Sequence, residues 1–140
     1  MEVRNFEIED YEQVQSIWKS SEGVGLDADV DSRDRIAMYL QRNPGLSFVA
    51  TEKKQVVGAV LCGHDGRRGY LHHLAVAQKL RGQGVGALLV DKTLGKLRAI
   101  GIRRCHIFVY AENDGGIDFW KRIGWDERSD LKINSKEITF

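Results

Sequence analysis

One short glycine-rich segment, Arg81-Gly82-Gln83-Gly84-Val85-Gly86, has the residue types and spacing to bind an anion. Three glycines at alternate positions allow a tight turn and let a ligand approach the backbone without Cβ atoms in its way. A helical pattern follows the segment, and the first amides of a helix have no partner inside it. Those amides and the positive end of the helix dipole attract negative charge. The segment therefore predicts a pyrophosphate site, to which the side chains of Lys79 and Arg81 add positive charge.

Three interpretations of this turn compete. It can be a plain connection between a strand and a helix, without a ligand. The run from Gly82 to Ala87 also fits the dinucleotide pattern G-x-G-x-x-A. However, the turn follows the fourth predicted strand and not the first strand of a βαβ unit, and no ribose-binding acid is well placed after the next strand. The third interpretation depends on a second motif further along the chain, which is described below.

The N-terminal region is predicted to supply one strand and two helices. Asp10 with Gln13 three residues later is typical of a capping box at a helix start. Asp31 is a second candidate cap, ahead of another apolar stripe at helical spacing. The predicted elements are a strand over 3–8, a helix over 10–20, a loop rich in Gly and Asp over 21–30, and a helix that begins at 31.

The rest of the chain alternates strands with two further helices. Strands are predicted over 46–51, 55–63, 69–76 and 104–110, helices over 84–100 and from 114 to about 124, and a last hairpin within 125–140. This order predicts an α/β fold in one domain. Its mixed central sheet would have about six to seven strands flanked by about four helices.

The composition limits the partners and the location. The chain has 140 residues, 42% of them apolar, and a formal net charge of +1. This near balance predicts no bulk attraction to nucleic acid or to an anionic membrane. No apolar run approaches the roughly 20 residues that span a bilayer, and the first residues lack a secretion-signal pattern. Cys62 and Cys105 lie in apolar runs without metal-type spacing, so we expect reduced, buried thiols, no metal site and a cytoplasmic protein.

Two motifs together resemble one enzyme family. Leu74-Ala75-Val76, four further residues and Arg81-x-x-Gly84-x-Gly86 are similar to the acetyl-coenzyme A motif of the GNAT superfamily of N-acetyltransferases. The segment 113–125 is similar to that family's Asn-x-x-Ala-x-x-Phe-Tyr-x-x-x-Gly-Phe helix. The predicted order of elements also matches the family fold nearly end to end. The resemblance implies a single GNAT-like domain over 1–140, with acetyl-coenzyme A as cosubstrate and no metal.

The resemblance implies a role for each motif position. Backbone groups of Leu74 and Val76 would bond the pantetheine arm, because two parallel strands of this fold separate and leave amides unpaired. The Leu74 amide would also stabilise the oxyanion that develops on the thioester carbonyl. The Asn113 side chain would bond the pantetheine or approach the substrate. The pyrophosphate would be held by amides of Arg81, Gly82, Gln83, Gly84, Val85, Gly86 and Ala87.

Amine acetylation also needs a base that removes a proton from the amine, and the family takes it from this strand as Glu or His. His72 shares a strand face with Leu74 by simple alternation, while His73 points the other way. His72 is therefore the preferred base, with an ordinary pKa near ~6.5. Either histidine can instead be an ordinary core or rim residue. His64 and His106 are weaker candidates, one beside a turn and one early in a strand.

The acid that protonates the leaving thiolate is harder to assign. The family often uses a Tyr at the position that is Trp120 here, and an indole has no proton to give near neutrality. Tyr110, at the end of the neighbouring strand, is the substitute candidate. Trp120 is then expected to pack beside the thioester end of the cofactor. Its replacement of Tyr keeps open an alternative function, an acyl-coenzyme A-binding module with little turnover.

The acceptor is expected to be a primary amine of a small molecule or a peptide. Carboxylates cluster in the loop 22–31, and an acidic rim there would attract a cationic amine. A solvated acidic loop without a ligand explains the same residues. The sequence is compatible with a homodimer.

Overall fold

Five strands and five α-helices make up the chain, and the computed structural model describes residues 1–140. The residues divide into two units, Met1–Tyr110 and Ala111–Phe140. The second unit contains one helix, α5 (Asp114–Arg122). The first unit consists, in chain order, of β1 (Glu2–Asn5), a 3-10 turn (Ile8–Asp10), α1 (Tyr11–Lys19), α2 (Ala28–Asp31), α3 (Arg33–Arg42), β2 (Phe48–Glu52), β3 (Gln55–His64), β4 (Gly69–Val76), a second 3-10 turn (Gln78–Leu80), α4 (Val85–Ala99) and β5 (Cys105–Ile107).

The strands lie side by side in chain order, from β1 to β5. The first four form an antiparallel meander, and β5 pairs parallel with β4. A parallel pair needs a crossover connection, which α4 supplies. The predicted mixed α/β class is confirmed. β2 and β3 form a hairpin, with Lys53 and Lys54 both in the left-handed region, as a tight two-residue turn requires.

The numbers of strands and helices both differ from the prediction. The sheet has five strands, because residues 126–140 are exposed throughout and contain no strand. Leu131, Ile133 and Ile138 each expose more than half of their surface. A hairpin there would bury too little apolar area to offset the entropy of ordering its backbone. The fifth helix is α2, one short turn within the predicted loop. None of the five helices has the length and apolar character to cross a membrane.

Helices cover both faces of the sheet. Ala59, Leu61 and Ala75 share a core with residues of α1 and α3, including Trp18 and Ile36. α4 packs on the opposite face. A Cβ added at Gly58 would meet Val85 and Leu89 of α4, and one added at Gly69 would meet Leu97. The sheet is thus held between layers, so the position of β4 is fixed from both sides.

An irregularity interrupts β4 near its C-terminal end. Leu61 pairs with His72 and Ala59 pairs with Ala75, so the single residue between them on β3 faces two residues of β4, His73 and Leu74. This is a β-bulge, and His73 has a φ of 52°. A left-handed conformation is uncommon for a residue with a side chain and costs on the order of 1–3 kcal/mol. Other contacts must therefore hold His73 in place.

Two predicted helix caps serve other purposes. The Asp10 carboxylate accepts two hydrogen bonds from Arg4, both at 2.8 Å, and one from the Glu7 amide at 2.9 Å. Gln13 accepts from the Val56 amide at 2.9 Å, which ties α1 to β3. The predicted capping box is therefore wrong: Asp10 completes a capping box with Glu7 one turn earlier, and Gln13 has a long-range partner. The cap of α3 is Ser32, not Asp31.

The Arg4–Asp10 pair gives a test of how α1 is anchored. Burial acts to raise the pKa of Asp10, but hydrogen bonds from Arg4 and the Glu7 amide outweigh it and leave the pKa lowered. Asp10→Asn should lower the free energy of unfolding by about 1–2 kcal/mol at pH 7. A lowered folded-state pKa stabilises fully above the unfolded value of about 3.9 and loses this effect as the pH falls towards the folded value, so the deficit should shrink below about pH 4.

Urea unfolding of parent and variant at pH 7 and at pH 3 measures both effects. Glu9→Gln is the matched control, because Glu9 lies on the same 3-10 turn and is exposed. It should unfold like the parent. A deficit of equal size at both pH values in Asp10→Asn would contradict the ionic contribution.

Candidate active site

The C-terminal half of β4 has one open edge. Its pairing with β5 ends at Leu71 and Ile107. The Ala77 amide donates to the Val57 carbonyl at 2.8 Å, so Ala77 faces β3. Because backbone polar groups of a strand alternate in direction, Leu74 and Val76 face the other side, where β5 no longer pairs. Their amides are therefore available to an extended ligand arm.

The glycine-rich turn follows directly and carries a row of free donors. Gly82 and Gly84 have φ of 79° and 84°, which a side chain would strain. The first helical hydrogen bond runs from the Leu88 amide to the Gly84 carbonyl at 3.0 Å. None of the six amides from Gly82 to Ala87 donates to another group of the chain. A row of amides at the start of a 15-residue helix fits a pyrophosphate.

Arg81 takes part through its side chain. Its amide donates to the Gln78 carbonyl at 3.3 Å and is therefore not free for a phosphate. Its guanidinium donates to the Val76 carbonyl at 3.0 Å and to the Ser21 hydroxyl at 3.4 Å. Arg81 thus links the open end of β4 to the loop after α1. It also occupies the Val76 carbonyl, which leaves the Val76 amide as the group available to a ligand.

The bulge changes where the two adjacent histidines point. Ala59 and Leu61 are two residues apart on β3 and share a face, so their partners Ala75 and His72 share it too. The predicted alternation, which placed Leu74 in phase with His72 and turned His73 away, is therefore wrong. Both imidazoles lie on the side of the N-terminal helices. The ring of His72 contacts Tyr39 of α3, and that of His73 contacts Trp18 of α1.

His73 is held by two separate hydrogen bonds. Its Nε2 lies 2.9 Å from Oδ1 of Asp31, and its carbonyl accepts from the Trp18 indole at 3.2 Å. Asp31 is buried and is fixed in turn, since its Oδ2 accepts from the Asp27 amide and its carbonyl from the Tyr11 hydroxyl. These contacts, here called the bulge clamp (Trp18, Asp31, His73), hold the left-handed backbone. The sequence gives no signal for it, because only the fold brings residues 31 and 73 together.

His72 is less constrained. Its ring packs against the edge of Tyr39 with centroids 6.1 Å apart, and it lacks the carboxylate partner that His73 has. Burial, followed by the nearby charge of His73, lowers the pKa of His72 despite an opposing effect of Asp31. A lowered pKa keeps the imidazole neutral at physiological pH, the form that accepts a proton. Tyr39 adds a buried hydroxyl without a partner, and burial raises its pKa.

The other candidate proton carriers differ in their surroundings. Tyr110 lies beyond β5, exposes 58% of its surface, and has its hydroxyl against Gly25, where there is no room for a Cβ. His64 accepts from the Gly66 amide at 2.9 Å and stabilises a turn. His106 stacks obliquely on Tyr70, with centroids 5.6 Å apart. Of these, Tyr110 alone combines an acidic hydroxyl with a position at the rim of the loop that follows α1.

The second unit contains the remaining motif residues. Asn113 caps α5, because its side-chain oxygen accepts from the Gly116 amide at 3.0 Å. Asp114, where the helix is predicted to begin, is the first helical residue. The cap leaves the NH₂ group of Asn113 without a partner. Trp120 is buried between Phe119 and Trp125, whose ring centroids lie 5.1 and 4.7 Å away. Its surroundings are therefore apolar.

Comparison with known proteins agrees with this geometry. The sequence profile of the Acetyltransferase (GNAT) family matches residues 9–125. An acetyltransferase of Photorhabdus laumondii is 32% identical over 130 residues, which cover 91% of this chain and 88% of that protein. Ard1 from Thermoplasma volcanium superposes with a TM-score of 0.77 at 25% identity, covering 88% of this chain and 80% of that one. The PaiA N-acetyltransferase from Thermoplasma acidophilum, solved with coenzyme A, superposes with a TM-score of 0.79 at 18% identity, and 89% of each chain is covered. The chain therefore belongs to the GNAT family of acetyltransferases.

Proposed function

We propose that this chain transfers an acetyl group from acetyl-coenzyme A to a primary amine of a small molecule or a peptide, by direct attack of the amine on the thioester. The observation that carries the proposal is the continuity between the open edge of β4 and the row of six free amides that begins at Gly82. The open edge of β4 matches the extended pantetheine arm of coenzyme A, and the row of free amides matches its pyrophosphate. When bound, acetyl-coenzyme A supplies the activated thioester.

The bulge gives the Leu74 amide a defined direction. Leu74 is the second bulge residue, and its backbone faces the open side of β4. A fixed N–H aimed at the thioester oxygen stabilises the negative charge that develops there during attack. The bulge clamp supports this role, because it holds the strained residue that immediately precedes Leu74. His73 and Asp31 are thus positioning residues in this proposal.

His72 is the proposed base. As the amine nitrogen bonds to the acetyl carbon and the carbon–sulfur bond breaks, one amine proton passes to the His72 imidazole, directly or through a water. The lowered pKa of His72 keeps the ring neutral and able to accept it. The thiolate leaves with a proton from Tyr110 or from water. Trp120 provides no proton in this scheme, since its indole is packed among aromatic rings.

The choice of an amine acceptor is part of the proposal. The PaiA protein is named an N-acetyltransferase and shares the fold. The loop after α1 adds exposed carboxylates, Glu22, Asp27 and Asp29, which favour the approach of a cation. An acetyl-transfer assay over a panel of amines, run beside a coenzyme A binding assay, tests it. Tight binding without turnover on any amine would favour the acyl-coenzyme A-binding module instead.

The first prediction concerns the phosphate turn. Gly84→Glu should weaken coenzyme A binding by at least about 100-fold, because it puts a negative charge and a side chain against the free amides. Gly45→Glu is the matched control, since Gly45 has a similar φ of 77° and equally open surroundings. Both variants should lose similar stability, about 1–2 kcal/mol. Calorimetric titration with coenzyme A measures the affinity, and equal affinity of the two variants would refute the assigned turn.

The second prediction concerns the base. His72→Ala should lower kcat by roughly 100-fold, the low end for loss of a general base. The Kd for acetyl-coenzyme A should barely change. Because the pKa of His72 is lowered, the acidic limb of kcat/KM in the parent should lie below the ordinary value of about 6.5. That limb should flatten in the variant.

Asp31→Asn separates the base from the bulge clamp. It should lower kcat and keep an acidic limb in the rate profile, because His72 is intact. That limb should move to lower pH, because the Asp31 charge that raises the pKa of His72 is gone. Asp34→Asn is its control, since Asp34 lies in the first turn of the next helix, α3, and is exposed. Loss of the acidic limb in Asp31→Asn, with a normal limb in His72→Ala, would assign the base to His73 instead.

The third prediction concerns Trp120. Trp120→Phe should keep most of the turnover, because the apolar packing against Trp125 largely survives. Trp120→Ala should lose stability, by about 3–5 kcal/mol for a truncated buried Trp. Steady-state kinetics and thermal unfolding of both variants test this. If Trp120→Phe folds and binds acetyl-coenzyme A normally yet loses turnover by orders of magnitude, the indole has a chemical role.

A further inference from the structure

A cleft of about 650 Å³ lies where α4 ends and β5 begins. α4 has 15 residues, so its C-terminal end, beside this cleft, lies about 21 Å along the helix axis from its first residue at the phosphate turn. Leu94, Leu97 and Ile102 supply apolar surface to it. The proposed acetyl transfer does not use any of its residues. The chain turns there at Gly101, and the Ile102 amide donates to the Leu97 carbonyl at 3.0 Å, so the backbone of the rim is fixed.

Arginines dominate the polar surface around this cleft. Arg98, Arg103 and Arg104 line it. Arg67 and Arg68 lie near these three. They directly precede Gly69, whose amide donates to the Arg104 carbonyl at 2.9 Å and which pairs with Cys105. None of the five belongs to any of the four ion pairs of the chain. These residues are called the arginine cluster below.

The acid beside the arginine cluster does not neutralise it. Asp65 uses one oxygen to accept from the Arg67 and Arg68 amides, both at 2.8 Å. These backbone bonds lower the pKa of Asp65, so it is charged, but it serves the turn and not a guanidinium. Five arginines and this aspartate give the region a local charge of +4, in a chain whose total is +1. The rest of the molecule is therefore acidic overall, and the positive charge is concentrated at this end.

We infer that the cleft is a second ligand site, which takes a small polyphosphorylated molecule on the arginine cluster. Planar guanidinium groups bind phosphate oxygens in pairs, and several around one cleft suit a chain of phosphates. The apolar residues of the cleft would contact the organic part of the ligand. This site is separate from the phosphate turn, so both can be occupied at once.

The size of the site and the net charge of the chain favour a small ligand. Its volume lies within the range of about 300–1,000 Å³ typical of small-molecule sites. Proteins that bind nucleic acid present a basic stripe or face and a high overall charge, whereas this chain is nearly neutral. Moving an arginine side chain from water to a phosphate has a small desolvation cost, because guanidinium is weakly hydrated.

Inorganic tripolyphosphate is the probe, titrated calorimetrically into the parent protein saturated with coenzyme A, so that the phosphate turn is filled. We expect one further site whose affinity falls as salt is added. Arg103→Gln/Arg104→Gln should weaken it by at least about tenfold, without changing coenzyme A affinity. Lys53→Gln/Lys54→Gln removes the same charge from the β2–β3 turn and should bind tripolyphosphate within about twofold of the parent.

Two results of the tripolyphosphate titration would overturn the inference. One is the absence of any second site at millimolar tripolyphosphate and low salt, in protein that binds coenzyme A normally. The other is an equal loss in both double variants, which would mean that binding follows net charge alone. A single-stranded oligonucleotide run in parallel distinguishes the partner class. If it binds more tightly than tripolyphosphate and the arginine variant abolishes that binding, the site belongs to a nucleic acid and the small-ligand inference is wrong.

Discussion

Backbone amides and carbonyls in a sheet need partners, and in this molecule one strand is left without them over part of its length. β4 is paired on one side throughout, but on the other side it loses β5 after Leu71. The unpaired stretch is not at a frayed terminus, because the chain continues from it into a turn of free amides and then into α4. The unpaired backbone of β4 therefore lies between two ordered elements and not at a chain end. In the proposed function, the pantetheine arm of coenzyme A supplies the missing partners.

That opening depends on a local distortion, and the distortion depends on a long-range polar contact. His73 adopts a left-handed backbone inside a strand, which only tertiary contacts can maintain. The carboxylate of Asp31 and the indole of Trp18 make those contacts from two different helices. α1 is itself tied to β1 by the Arg4–Asp10 pair and to β3 by Gln13. The geometry at Leu74 thus rests on the N-terminal segment as much as on β4.

Local patterns were sufficient for the features that depend on neighbouring residues. The bounds of β4 and the helix after Gly84 follow from alternation and backbone freedom. Features that depend on distant partners were missed. Asp31 resembles a cap in sequence, yet its carboxylate binds His73, which only the fold brings near. One inserted residue at the bulge also defeats any argument from strict alternation beyond His72.

The shortness of β5 has a second consequence, for solubility. β5 is the last strand of the sheet, and an edge strand offers its free backbone to any other extended chain. With only three residues, Cys105–Ile107, it presents too short a ladder to recruit a stable extra strand. The flanking arginines, Arg103 and Arg104, add like charges that repel a second copy arriving at the same edge. The shortness of β5 thus leaves β4 open and also limits pairing of the β5 edge with a second copy of the chain.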